Sequence, residues 1–397
     1  MKRRSFVGLA AMPIAMLPGC ARQTTLPPIP SDLVSAAQIP GIPQARQWGD
    51  EPGAAFHAGG TQPGSVPALQ QSSTPVPLRV LALSGGGANA AFAAGLLTGW
   101  TDARTRPTFH VVTGVSAGAL AAPFALLGSV RDETLRSLFT GLAGADLVKE
   151  RSRVVALFSD SLARSEPLRR VIDEHFDAAL MREIAAEHRR GRRLIVGTTH
   201  VYAGRLVAWN IGAIADSGHA DALELIRRVL LASAAVPIML PPVYVEVEAA
   251  GRRYHEMHVD GGMTRQVFVA PPGVDWSSVA QRNQRHGGLE LYVIRNGRVR
   301  SEYMLMPDRL VPLGEHALHL LAQSQGVGDL YIIYVQAQRA GAAYKAAWIG
   351  DAFQAPWTQW YDPPYMRALF DYAYREAAAG TVWHSEPPGF TAASSRP

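Results

Sequence analysis

The apolar positions fall into short runs broken by glycines and followed by stretches of helical spacing. Residues 78–84, LRVLALS, form an apolar run of buried-strand type; three glycines break it, and residues 89–100 carry small and apolar side chains at helical period. The pattern repeats at once. Residues 109–113 read as a strand, 114–118 as a turn and 119–127 as a helix. Two strand-turn-helix units in succession predict parallel strands in an α/β sheet covered on both faces. Further on, residues 134–147, 166–190 and 221–233 read as helices, and residues 193–199, 205–209, 254–259 and 289–294 as strands. Residues 315–338 read as mainly helical and 364–379 as an amphipathic closing helix. No repeat beyond the βα unit is visible, and no boundary divides the ordered part, 78–382, from which 383–397 trails as a tail. Residues 20–77 are rich in Pro, Gly, Ser, Thr and Gln without a sustained apolar period, which predicts a tether, partly disordered or laid over the domain.

Composition narrows the function classes. Of 397 residues 48% are hydrophobic and 18% charged, enough apolar content for a large core. The formal net charge is +5, and without Lys2, Arg3 and Arg4, which lie in a segment of export-signal type, it stands at about +2. The arginines are scattered among acids, as in MREIAAEHRRGRR at 181–193, which reads as a solvated face. No aromatic-interleaved basic stripe marks a nucleic-acid partner.

The first residues point to a membrane. A positive start, an apolar core at 6–17 too short to span a bilayer, and Leu17-Pro18-Gly19-Cys20 follow in order. Cys20 is the only cysteine, so no internal disulfide can form. The stretch resembles a bacterial lipoprotein signal covering 1–19, with Cys20 as the lipid-modified residue; Pro18 departs from that pattern. Arg3-Arg4-Ser5-Phe6-Val7 resembles a twin-arginine export motif. These resemblances imply an exported protein held at a membrane surface through lipidated Cys20. Ala21 after the cysteine implies sorting to the outer membrane, facing the periplasm. A plain cleaved signal, or a buried cysteine, is the alternative.

The candidate chemistry sits at the strand ends. Gly114-Val115-Ser116-Ala117-Gly118 is a G-x-S-x-G sequence between a strand and a helix, the context in which that motif holds a nucleophile on a strained turn. Gly114 and Gly118 supply the missing bulk where the backbone crowds. A small-residue turn with a capping serine reads the same way.

Gly85, Gly86 and Gly87 precede a helix start, where N–H groups can converge on developing negative charge as an oxyanion hole; close strand–helix packing is the plainer reading. The run fits a dinucleotide fingerprint only partly, because the second strand ends without an acid, and no Lys-Ser or Lys-Thr follows it as a P-loop requires.

A serine hydroxyl needs a base. Asp260 closes the strand within YHEMHVDGGM and is followed by Gly261 and Gly262, although Asp-Gly-Gly is also an ordinary turn former. His255-Glu256-Met257-His258 misses the zinc spacing by one residue and lies on a strand, so no metal is expected there. His258 shares a face with Asp260 by period two and either touches the site or fills the core.

SGGGANA, GVSAG and VDGG in this order resemble the patatin-like phospholipases, over residues 78–270, and ASAAVPIMLPPV at 232–243 resembles the helix end and turn before that family's Asp strand. The resemblance implies a three-layer α/β/α fold with a mainly parallel central sheet. It also implies a Ser-Asp dyad cleaving lipid esters without cofactor or catalytic histidine. On that pattern Ser116 is the nucleophile, Asp260 the base, and Gly85, Gly86 and Gly87 the oxyanion donors. The chain departs from it at Asn89, where many members carry Arg or Lys, and at Ala90, where they carry Gly. The lost cation favours lipid esters in general over phospholipids. Other readings remain at this level: a Ser-His-Asp esterase using His286, His316 or His319, and a non-catalytic envelope lipoprotein that binds lipid. Oligomeric state is not legible.

Overall fold

The computed structural model describes residues 26–51, 76–141, 163–270, 287–301, 307–357 and 361–390, with positions 149–150, 161, 303 and 305 between them. Its main elements begin with β1 (Arg46–Trp48), β2 (Leu78–Leu83), α1 (Ala91–Asp102), β3 (Val111–Val115), α2 (Ala117–Leu127) and α3 (Asp132–Gly141). Then come α4 (Glu166–His175), α5 (Ala178–Arg189), β4 (Arg193–His200), β5 (Arg205–Asn210), α6 (Ile211–Asp216) and α7 (Ala222–Ser233). The chain continues with β6 (Val243–Ala249), β7 (Arg252–Asp260), β8 (Leu289–Arg295), α8 (Leu310–Ala340), β9 (Ala343–Trp348) and α9 (Pro363–Ala379).

The strands form one nine-stranded sheet. Strands β4, β3, β2, β8 and β9 are parallel neighbours at its centre. On the β4 side the sheet continues antiparallel through β5 to β1, while β7 pairs with the last residues of β4 and carries β6 beyond it. Alternation splits each central strand between two cores. In β2, Leu81 and Leu83 face one layer, with α1, α2 and α9, while Leu78, Val80 and Ala82 face the other, with Leu330, Ile333 and Ala337 of α8. Both sides being covered, every residue of β3 is buried, which is why that strand shows no alternation of apolar and polar positions. The fold is the three-layer α/β/α arrangement with a mainly parallel central sheet.

Several elements differ from the sequence expectation. Residues 166–190 form two helices: Phe176 leaves the helical region, and Asp177 caps α5 by accepting the Leu180 N–H at 2.8 Å. The strand read at 109–113 runs two residues later, so the turn before α2 narrows to Ser116 alone. Residues 142–147 of the helix read at 134–147 lie outside the described residues. Strands β1, β6 and β9 and helix α6 were not anticipated.

Residues 26–51 are laid over the domain. Ile29, Ile39, Ile42 and Ala45 are buried, and β1 pairs with β5. Arg46 forms an ion pair with Glu256 of β7, two side chains with 8% and 0% exposure. The tail also packs: His384 bridges to Ala346 and stacks on Trp348 at 4.0 Å. The signal segment 1–19 and Cys20 lie outside the described residues, as do 21–25, 52–75 and 391–397. No helix among the described residues is long and apolar enough to cross a membrane.

Candidate active site

Strand β4 brings the site together. Its first half pairs with parallel β3, whose last residue, Val115, lies opposite Gly197. The next residue, Thr198, pairs with Asp260, the last residue of antiparallel β7. The two strands therefore approach each other along one edge of β4 and end where they meet, which puts Ser116 beside Asp260. The Ser116 hydroxyl donates to Asp260 Oδ2 at 2.6 Å, and the Gly262 N–H donates to Oδ1 at 2.7 Å.

Ser116 has φ 54 and ψ −128, a conformation that a residue with a Cβ adopts only under constraint. The constraint comes from close packing. A Cβ on Gly114 would lie 2.6 Å from the Gly118 carbonyl oxygen, and one on Gly118 would overlap the Ser84 carbonyl oxygen. The strained turn is held by Ser233 at the end of α7, whose hydroxyl accepts the Ser116 N–H at 2.9 Å and donates to the Gly197 carbonyl at 2.7 Å. Helix α2 starts directly after Ser116, so its positive end faces any negative charge that forms there.

Asp260 is 4% exposed and Ser116 8%. Burial lifts the Asp260 carboxyl from 3.8 to about 6, against the hydrogen bonds from Ser116 and Gly262 that favour its charge. The group is ionised at neutral pH and more basic than an ordinary aspartate, as a proton acceptor for a hydroxyl should be.

The glycine loop corrects one expectation. The Gly85 N–H donates to the Gln266 carbonyl at 3.0 Å, so it is committed to holding the loop and is not an anion donor. Gly86 and Gly87 N–H groups have no backbone acceptor among the described residues. Gly86 has φ 154, and a Cβ on it would overlap the Asn296 carbonyl oxygen. Asn296 fastens the loop: its Nδ2 donates to the Ser84 carbonyl at 2.8 Å and its Oδ1 accepts the Ala93 N–H of α1 at 3.1 Å. Asp329 of α8 holds the far side, accepting the Gln266 and Val267 N–H groups at 2.8 and 3.2 Å. Ser233, Asn296, Gln266 and Asp329 were missed in the sequence. Asn296, Gln266 and Asp329 sit in no motif, and Ser233, within 232–243 at the end of a recognised helix, carried only a positional hint.

The histidines are placed elsewhere. His258 is fully buried with Nδ1 2.9 Å from Thr198 Oγ1 and Nε2 3.2 Å from Glu256 Oε2. The Glu256 carboxylate only accepts, so neutral His258 donates from Nε2 and its Nδ1 accepts the Thr198 hydroxyl hydrogen, while Thr198 Oγ1 accepts from Trp209 Nε1–H. Burial lowers its pKa to about 4 and keeps it neutral. It fills the core beside the site. His316 and His319 stack on each other in α8, and among the described residues no imidazole bonds Ser116 or Asp260. His286 lies outside the described residues. No group of three or more His, Cys, Asp and Glu side chains among the described residues could hold a metal ion.

An α/β/α sheet with a serine on a strained strand-to-helix turn and a buried carboxylate against its hydroxyl has the architecture of a hydrolase. Residues 81–271 match the model of the patatin-like phospholipase family. The chain carries a patatin-like phospholipase domain, which places it among lipid hydrolases in general. The crystal structure of VipD from Legionella pneumophila is similar over 77% of this chain and 67% of its own, at 11% identity and a TM-score of 0.40. That of the type III effector protein ExoU is similar over 79% of this chain and 56% of its own, at 15% identity and a TM-score of 0.27. No curated protein matches the sequence.

Proposed function

We propose that the protein is a serine acyl hydrolase that cleaves carboxylic esters of lipids through a Ser116–Asp260 dyad and an acyl-enzyme. What carries the reading is the 2.6 Å hydrogen bond from the strained serine to the buried, basic carboxylate. Ser116 Oγ attacks the ester carbonyl while its proton moves to Asp260 Oδ2. The oxygen that gains charge is met by the N–H groups of Gly86 and Gly87 and the start of α2. The proton then leaves with the alcohol, and water repeats the cycle on the acyl-enzyme. Asn89 brings no cation to the loop, which favours lipid esters without an anionic head group. The proposal includes delivery of the domain to a bacterial envelope membrane through lipidated Cys20, supported by the sequence of residues 1–20.

The test is covalent labelling of folded protein with an alkyl fluorophosphonate. Ser116 is expected to be the modified residue, found by peptide mass spectrometry, with the labelling rate half-maximal near pH 6 and falling below it as Asp260 takes up a proton. Labelling at another serine, or none between pH 7 and 8, rules the dyad out. Comparing membrane lipids before and after exposure to the enzyme identifies the ester class.

A further inference from the structure

The chain beyond the matched stretch reaches the reaction centre through the entry to α9. Helices α1 and α9 pack backbone to backbone: a Cβ on Gly95 or Gly99 would overlap the carbonyl oxygens of Phe370 or Tyr374. The start of α9 is fixed again where Tyr365 donates to Asn89 Oδ1 at 2.7 Å, tying it to the glycine loop. Asp362 is buried, and its carbonyl accepts the Met366 N–H at 2.9 Å.

Tyr361, immediately before, is held at φ 50, a left-handed conformation that a tyrosine keeps only where its surroundings impose it. Its ring packs against the main core, and its hydroxyl lies 3.5 Å from the point a Cβ on Gly87 would occupy. Gly85, two residues earlier, is in the same relation to Ser116, 3.1 Å from its Cβ. The phenol thus stands beside the same glycine loop that touches Ser116. The hydroxyl makes no hydrogen bond to another described residue, and Tyr361 is only partly buried. A ligand oxygen in that loop would give it a partner.

We propose that Tyr361 is a catalytic residue, donating its phenolic hydrogen to the ester carbonyl oxygen as that oxygen becomes an alkoxide, beside the N–H groups of Gly86 and Gly87. This rests on the ester-hydrolase reading above. As Ser116 Oγ bonds to the carbonyl carbon, the π pair moves onto oxygen and the serine proton moves to Asp260. The phenol shares its hydrogen and keeps it. On collapse the pair re-forms the carbonyl, the ester C–O bond breaks, and Asp260 returns its proton to the leaving alcohol. Burial and the Asp260 carboxylate push the Tyr361 pKa up to about 12, so the hydroxyl remains a donor wherever the base is ionised below that pH.

The experiment compares wild type with Tyr361→Phe on p-nitrophenyl butyrate. The kcat is expected to fall on the order of 10²-fold, the effect of losing one oxyanion donor, with KM and melting temperature unchanged. Inhibition by an alkyl trifluoromethyl ketone, whose Ser116 adduct carries the same alkoxide, is expected to weaken by a similar factor. A kcat within about twofold of wild type overturns the proposal. So does a fall in kcat without loss of ketone affinity. Absence of turnover by the wild type itself overturns the ester-hydrolase reading, and this inference with it.

Discussion

Asp260→Asn is expected to lose turnover by roughly 10⁴-fold or more and at the same time to unfold at a higher temperature than wild type. The two effects share a cause. Burial raises the Asp260 pKa from 3.8 to about 6, so the ionised carboxylate at neutral pH costs the fold roughly 3 kcal/mol relative to a neutral group in the same place. Because the folded pKa is the higher one, the contribution of this group is fully favourable below about pH 4 and is lost as pH rises through about 6. The amide never ionises. Its advantage should be absent near pH 4 and complete above about pH 6. The amide oxygen introduced by the substitution can still accept the Gly262 N–H, so the turn should survive. Urea denaturation of both proteins at pH 4 and pH 7.5 measures the difference; a variant less stable than wild type at pH 7.5 would mean that the carboxylate holds the fold together and is not held in tension by it.

Arg46→Met should be among the most destabilising single changes outside the site, by about 3–5 kcal/mol. Arg46 meets both oxygens of Glu256, Nη2 donating to Oε1 at 2.8 Å, and also donates to the Ala37 carbonyl at 3.2 Å. Burial works against the Glu256 charge, but His200, His258 and Arg46 outweigh it and hold the carboxyl well below the usual range. His200 Nε2 stands 3.6 Å from Oε1, too far for a full hydrogen bond. Removing the guanidinium leaves a buried carboxylate without its cation and takes away one of the side-chain ties between residues 26–51 and β7. Arg46→Met combined with Glu256→Gln should cost much less than the sum of the two, since no charge is then stranded. Chemical denaturation of the three variants settles it, and a single-variant loss under about 1 kcal/mol would show the pair to be dispensable.

The parts of the fold legible in the sequence are those that burial writes plainly. β2 and β3 are covered on both faces, and their apolar runs stand out. Ser116, Asp260 and the flanking glycines were legible because a tight turn and a strand end restrict the residue types allowed there. β9, AYKAAW, is poor in β-branched residues, and β1 is three residues in a Pro-rich stretch; both are strands because a neighbour's edge was free. The groups that finish the site are invisible along the chain for another reason. Ser233 meets Ser116 across 117 positions and Asn296 meets Ser84 across 212, through bonds that only the folded sheet creates. Gly85 was misassigned because a glycine needed for close approach and one needed as a donor look alike in a sequence.

Since β3 and β7 both hang on β4, the spacing of Ser116 and Asp260 is fixed by ladder register at Gly197 and Thr198, whatever the length of the 144 positions separating them. Loops such as 217–221 or the hairpin tip at 250–251 can grow, shrink or be exchanged with the chemistry left intact. One residue inserted between 193 and 197 would turn the strand over and part the hydroxyl from its acceptor. A lineage, or a designer, can therefore reshape the rim for new lipids while a five-residue stretch of β4 stays frozen.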